Sequence, residues 1–150
     1  MAVVGPRRAE AEVLALAEEV GRELAARGAV LVCGGLGGAM EAACRGAREG
    51  DGLTVGILPG ADRGEANQHV VVAVPTGLGE ARNALVVRAA DALIAVAGEY
   101  GTLSEIALAL SAGKRVVGLR TWELVRDGGE VGAIVRAPDA RTAVDLALAG

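Results

Sequence analysis

Short apolar runs alternate with amphipathic stretches along nearly the whole chain. Residues 2–4 predict a first strand, ended by Gly5-Pro6. Over residues 9–26 the apolar positions recur at helical spacing, with Val13, Leu16, Val20 and Leu24 on one face. Gly28 stands where a C-terminal cap belongs. Residues 29–33 read as a strand that runs into Gly34-Gly35-Leu36-Gly37-Gly38, and a helix over about 39–48 follows. Residues 53–58 predict a third strand closed by Pro59-Gly60, and 70–74 a fourth ended by Pro75, with a polar loop at 61–67. A helix over about 80–90 precedes the most continuous apolar run, 92–97. Gly98 and Gly101 follow that run, and from Thr102 the residues Leu103, Ile106, Ala107 and Leu110 fall at helical spacing. Gly113-Lys114 turns the chain into a strand at 115–119, and Asp127-Gly128-Gly129 marks a turn in an otherwise unassigned stretch, 122–130. The pattern closes with a strand at 131–135 and a helix over 140–148, capped by Asp139.

Strands alternating with helices predict an α/β protein, a Rossmann-like three-layer domain with a mainly parallel sheet of about six or seven strands. Right-handed crossovers put every strand-to-helix loop at the carboxyl edge of such a sheet. The glycine loops at 34–38 and 98–101 must then share that edge and frame a cleft. The amides of a first helical turn have no internal partners, and the helix dipole adds about half a positive charge there. Strand, glycine turn and helix at 92–111 therefore predict an anion site, with Glu105 one turn into the helix.

Composition narrows this picture. At 150 residues the chain is long enough for one domain with a full core. Apolar residues make up 52%, yet there is no Phe, one Tyr and one Trp, so the core rests on Val, Leu, Ile and Ala. A net charge of −4 without a basic cluster argues against a nucleic-acid partner. No signal-peptide pattern and no apolar run of membrane length is visible, which points to the cytoplasm. Cys33 and Cys44 lie in apolar segments and support neither a disulfide framework nor a metal site, so they read as core residues. His69 and Trp122 likewise read as structural and packing residues.

Four chemistries do not fit. A P-loop needs Gly-Lys-Ser/Thr after a strand, but the single lysine, Lys114, lies between Gly113 and Arg115. The dinucleotide fingerprint fails because Met40 sits where its third glycine belongs. Neither Ser104 nor Ser111 lies in a nucleophile elbow. A pyridoxal enzyme needs a buried Schiff-base lysine, and Lys114 falls in a turn on the opposite edge.

The pair G-G-L-G-G-A-M-E-A-A-C-R-G-A (34–47) and A-G-E-Y-G-T-L-S-E (97–105) resembles the Lonely Guy (LOG) superfamily. Its hallmarks are a glycine-rich loop before G-x-M and a later P-G-G-x-G-T-x-x-E. The likeness extends over about residues 3–119. The wording A-M-E-A-A, I-L-P-G at 57–60 and A-R-N-A at 81–84 is closer to the molybdenum-cofactor carrier proteins and their bacterial relatives. Members are often labelled lysine decarboxylases, a label that the position of Lys114 opposes.

The resemblance implies a site for a phosphorylated small molecule, such as a nucleotide or a nucleotide-like cofactor. Its binding residues match Gly34, Gly35, Gly37, Gly38, Met40, Gly98, Tyr100, Gly101 and Thr102. A carrier would take the molybdenum cofactor as cargo. The LOG enzymes instead hydrolyse the N-ribosyl bond of nucleoside 5′-monophosphates, releasing base and ribose 5-phosphate with no cofactor. Their arginine and glutamate match Arg82 and Glu105. A fixed carboxylate suits the cation that develops as a base departs, and an arginine suits a phosphate or a leaving group. The resemblance further implies a homodimer or higher homo-oligomer, paired through helices beside the site. The apolar character of the helices at 80–90 and 102–111 points the same way. Two departures stand out: Ala97 and Glu99 replace the motif's Pro and second Gly. A carboxylate at Glu99 would repel a phosphate if it turned inward.

Overall fold

The computed structural model describes residues 1–150. Strands β1 (Ala2–Val4), β2 (Leu31–Cys33), β3 (Thr54–Leu58), β4 (Val72–Pro75), β5 (Ala92–Val96), β6 (Arg115–Leu119) and β9 (Ile134–Arg136) form one seven-stranded sheet. Its order is β4-β3-β2-β1-β5-β6-β9, and every pairing is parallel. Strands β7 (Val125–Arg126) and β8 (Gly129–Glu130) make a separate antiparallel hairpin. Helices α1 (Ala11–Ala26), α2 (Ala39–Glu49) and α5 (Ala140–Leu148) cover one face, with Leu24, Leu31, Ile94 and Val144 in their core. Helices α3 (Asn83–Arg88) and α4 (Tyr100–Ser111) cover the other, over Val4, Leu93, Val86 and Ile106. Three layers with a parallel sheet between them are the Rossmann-like arrangement that the strand and helix alternation predicts.

A core without Phe draws its helices close. A Cβ on Gly21 of α1 would lie 2.0 Å from the Ala43 carbonyl oxygen, and one on Gly46 of α2 would lie 1.9 Å from that of Glu18. These contacts are with backbone, so no side chain can move aside. Gly46→Ala is therefore expected to destabilise the protein by about 3 kcal/mol despite alanine's better helix propensity. Chemical denaturation reads this directly; an unchanged or raised midpoint would contradict the close crossing.

Several boundaries differ from the sequence pattern. The predicted helix at 80–90 is instead a 3-10 turn, Gly79–Arg82, followed by the short α3. The loop after β4 is tied to the loop after β3, with Gly77 and Gly79 amides donating to Gly60 and Pro59 carbonyls at 2.9 Å. That tether keeps the first turn tight, so α-helical geometry starts only at Asn83. At its other end Lys114 Nζ donates to the carbonyls of Val87, Arg88 and Ala90, closing α3. Lys114 thus caps a helix end on the opposite edge.

Helix α4 starts at Tyr100, two residues before Thr102, and α1 starts at Ala11 rather than 9. The last strand is Ile134–Arg136, not 131–135, because Val131 donates to Leu124 and Ala133 to Val131 in local turns. Asp127 and Gly128 adopt the positive φ of a tight hairpin turn between β7 and β8. No helix is long and apolar enough to cross a membrane.

Candidate functional site

The strand order reverses between β1 and β5, and ligands of open parallel sheets bind outside the strand carboxyl ends at such a point. A cavity of about 250 Å³ lies there. The loop after β1, Gly5-Pro6-Arg7, forms one wall, with Gly34 from the end of β2 and Met40 from α2. Glu80, Arg82 and Asn83 enter from the turn before α3, and Glu99, Gly101, Thr102 and Glu105 from the start of α4.

Arg82 is 8% exposed, although it lies only one residue outside α3. Its Nη1 donates to the Asn83 side-chain oxygen, and its Nη2 makes a long 3.4 Å bond to the Gly34 carbonyl. Its Nε is buried without a partner. A Cβ at position 34 would stand 2.6 Å from that Nη2 and 2.8 Å from the Met40 sulfur, so glycine makes the room for the guanidinium. Burial lowers the Arg82 pKa, with the Glu105 charge opposing that effect.

Glu105 is 7% exposed and makes no side-chain hydrogen bond or ion pair. Burial pushes its carboxyl up to about 7, while the Arg82 charge pulls the other way. A carboxyl with that pKa can hold or release a proton at neutral pH. Beside it, the first backbone bond of α4 runs from Leu103 N–H to the Glu99 carbonyl at 3.0 Å. The amides of Tyr100, Gly101 and Thr102 have no backbone acceptor. A Cβ on Gly101 would meet nothing within 4 Å, so that turn is open on its outer side.

The loop before α4 explains one departure from the superfamily motif. Ala97 has φ 50°, and its amide donates to the Leu119 carbonyl at 2.8 Å. A proline can supply neither, because its φ is fixed near −65° and it has no N–H. The Ala97 carbonyl also accepts from the Thr121 hydroxyl. Glu99, the other departure, lines the cavity and is exposed.

Of the residues singled out in the sequence, Gly34, Met40, Arg82, Gly101, Thr102 and Glu105 line this cavity. The others lie around it. Gly35 packs on Leu58 and Gly56, Gly38 on the carbonyls of Pro6 and Arg7, and Gly98 on Thr102. Gly37 lies near Glu41 and the Arg7 carbonyl, and Tyr100 is exposed beside Glu99 and Gly101. The sequence pattern did not single out the loop after β1, Pro59, Glu80 or Asn83. Gly5-Pro6 after a strand was the available signal, but only the strand order shows that β1 is central.

Cys33 and Cys44 are free, buried thiols whose sulfurs lie 3.5 Å apart behind Gly34. The Gly35 amide donates to the Cys33 sulfur at 3.3 Å. The Cys33 pKa is lowered, first by the Cys44 hydrogen bond, and that of Cys44 is raised. His69 has a structural place, its carbonyl accepting from the Thr54 hydroxyl at 2.6 Å.

This fold and much of the sequence recur in known proteins. An uncharacterized protein of Archaeoglobus fulgidus is 45% identical over 118 residues, 79% of this chain and 78% of that protein. The molybdenum cofactor binding protein of Rippkaea orientalis superposes with a TM-score of 0.89 at 34% identity, over 99% of this chain and 94% of its own. The molybdenum cofactor carrier protein of Chlamydomonas reinhardtii gives 0.84 at 33% identity, over 99% and 97%. The SLOG cluster4 family model matches residues 1–143, and the chain belongs to that family, on the molybdenum-cofactor-carrier-like branch of the LOG-like superfamily.

Proposed function

We propose that the protein binds a phosphorylated small molecule, a nucleotide or nucleotide-like cofactor, in the cleft between β1 and β5. The observation that carries this reading is Arg82. A buried guanidinium with an unpartnered Nε lines the same cavity as the free first-turn amides of α4. An unsatisfied buried donor costs about 1–3 kcal/mol, more when charged, and an anion in the cavity would offset the desolvation of the guanidinium. The phosphate takes the amides of Gly101 and Thr102, and Arg82 meets the same ligand from across the cavity. The molybdenum cofactor, a phosphorylated pterin, is the leading cargo because two similar structures are a binding protein and a carrier protein for it.

Glu105 favours a second reading, a phosphoribohydrolase acting on nucleoside 5′-monophosphates. A carboxyl near pKa 7 beside Arg82 suits the charge that develops as a base leaves a ribose. Incubation with a panel of nucleoside monophosphates separates the readings. Binding without base release supports the carrier, release of base and ribose 5-phosphate supports the hydrolase, and absence of binding contradicts both.

The reading includes a homo-oligomer in the reducing cytoplasm. Leu85 on α3 and Leu108 on α4 are each 40% exposed, so the hairpin of β7 and β8 does not cover them. A second copy is the expected cover. Sedimentation equilibrium at micromolar concentration is expected to show at least two chain masses, and a single chain mass would refute it.

A further inference from the structure

We propose that Glu99 limits the phosphate charge that the cleft accepts, so that a single phosphate is favoured over a diphosphate. This rests on the phosphate site proposed above. Five ionisable side chains line the cavity, Arg7 and Arg82 against Glu80, Glu99 and Glu105. Four of them act on one another. Beyond the burial that lowers its pKa, the Arg82 guanidinium feels Glu105, Arg7 and Glu80: the two acids favour its charged form and Arg7 opposes it. Glu99 stands outside that group. It takes part in none of the chain's ion pairs, and its side chain caps no amide of α4.

Nothing in the fold calls for an acid at this place. The backbone of Glu99 is extended, with φ −106° and ψ −164°, a conformation open to any residue, and the side chain is exposed. The superfamily motif has glycine here. Its position is nevertheless fixed, because the Glu99 carbonyl accepts from the Leu103 amide at 3.0 Å and from the Trp122 indole N–H at 3.3 Å. The Gly101 amide is two residues on, within about 7 Å of the Glu99 Cα by chain geometry. A carboxylate held on the cavity wall this close to the phosphate amides repels whatever anion they receive, and more so with each further charge on it. With three acids against two arginines, the cavity has no surplus cation for a second phosphate.

Wild type, Glu99→Gln and Glu19→Gln are titrated calorimetrically at low salt with adenosine, adenosine 5′-monophosphate and adenosine 5′-diphosphate. Glu19 is an exposed acid of α1 that does not line the cavity, so its substitution changes net charge alone. Glu99→Gln is expected to tighten the monophosphate by about threefold or more and the diphosphate by a larger factor. Adenosine should bind as it does to the wild type, Glu19→Gln should match the wild type throughout, and high salt should shrink both gains. The charge limit is overturned, and the phosphate site left standing, by unchanged or weaker monophosphate binding in Glu99→Gln. An equal gain for adenosine or in Glu19→Gln, or a diphosphate gain no larger than the monophosphate's, has the same meaning. Failure of wild type and Glu99→Gln alike to bind either nucleotide overturns the phosphate site and the charge limit with it.

Discussion

At pH 8 the Glu105→Gln variant is expected to be more stable than the wild type, by the order of 3 kcal/mol. The folded-state pKa of Glu105 is raised from 4.5 to about 7 by burial. Between those values the native state keeps a proton that the unfolded chain has already lost. Wild-type stability therefore falls as pH rises through this window, and the full cost is present above it. Glutamine holds a similar volume and never ionises, so the variant lacks this slope. Denaturant melts at pH 5 and pH 8 check it: the curves should nearly coincide at pH 5 and separate at pH 8. Parallel behaviour at both would show that Glu105 ionises freely in the folded protein. If the protein is a hydrolase, the same substitution lowers base release by about 10²–10⁴-fold while ligand affinity stays close to the wild type's.

Arg82→Met is expected to separate binding from stability. The guanidinium is buried with an orphan Nε, one long bond to Gly34 and a bond to its own neighbour Asn83. Methionine of similar length removes the desolvated charge but also the cation that favours the Glu105 carboxylate, so stability is expected to change little at pH 5, where Glu105 holds its proton, and to fall at pH 8. Affinity for a nucleoside monophosphate should nevertheless fall by about 100-fold or more, because charge-assisted bonds to phosphate are the strong ones. Thermal melting and calorimetric titration of one preparation measure both quantities. A variant that loses several kcal/mol of stability at pH 5 yet keeps its ligand would make Arg82 a structural residue.

The readable parts of this protein were those fixed by local pattern. Continuous apolar runs such as 92–96 gave the strands, and the glycines after them located the edge on which the cavity lies. Arg82, Glu105, Gly34 and Gly101 stand in recognisable motifs, and they line one cavity. What the pattern missed depends on distant contacts. Residues 80–90 have helical periodicity throughout, yet the bonds from Gly77 and Gly79 to Gly60 and Pro59 tighten the first turn. The positive φ of Ala97 follows from its bond to Leu119, a strand away. The Gly5-Pro6-Arg7 wall is invisible until β1 is found between β2 and β5. Burial of Arg82 also goes against the ordinary preference of arginine for the surface, and sequence offers no measure of it.

The claim that the cleft takes a phosphorylated compound is tested most directly by comparing one ligand with and without its phosphate. Adenosine 5′-monophosphate and adenosine share base and sugar, so a difference between them belongs to the phosphate. At a hundredfold excess over its dissociation constant, a ligand of the native state adds about 2.7 kcal/mol of stability. The nucleotide is expected to raise the melting temperature by several degrees more than adenosine does. Gly101→Val should abolish that difference, because a Cβ there meets no other atom of the protein within 4 Å and so enters space that is open to the ligand. Equal shifts with nucleotide and nucleoside, or a difference that survives Gly101→Val, would contradict a phosphate site at the start of α4.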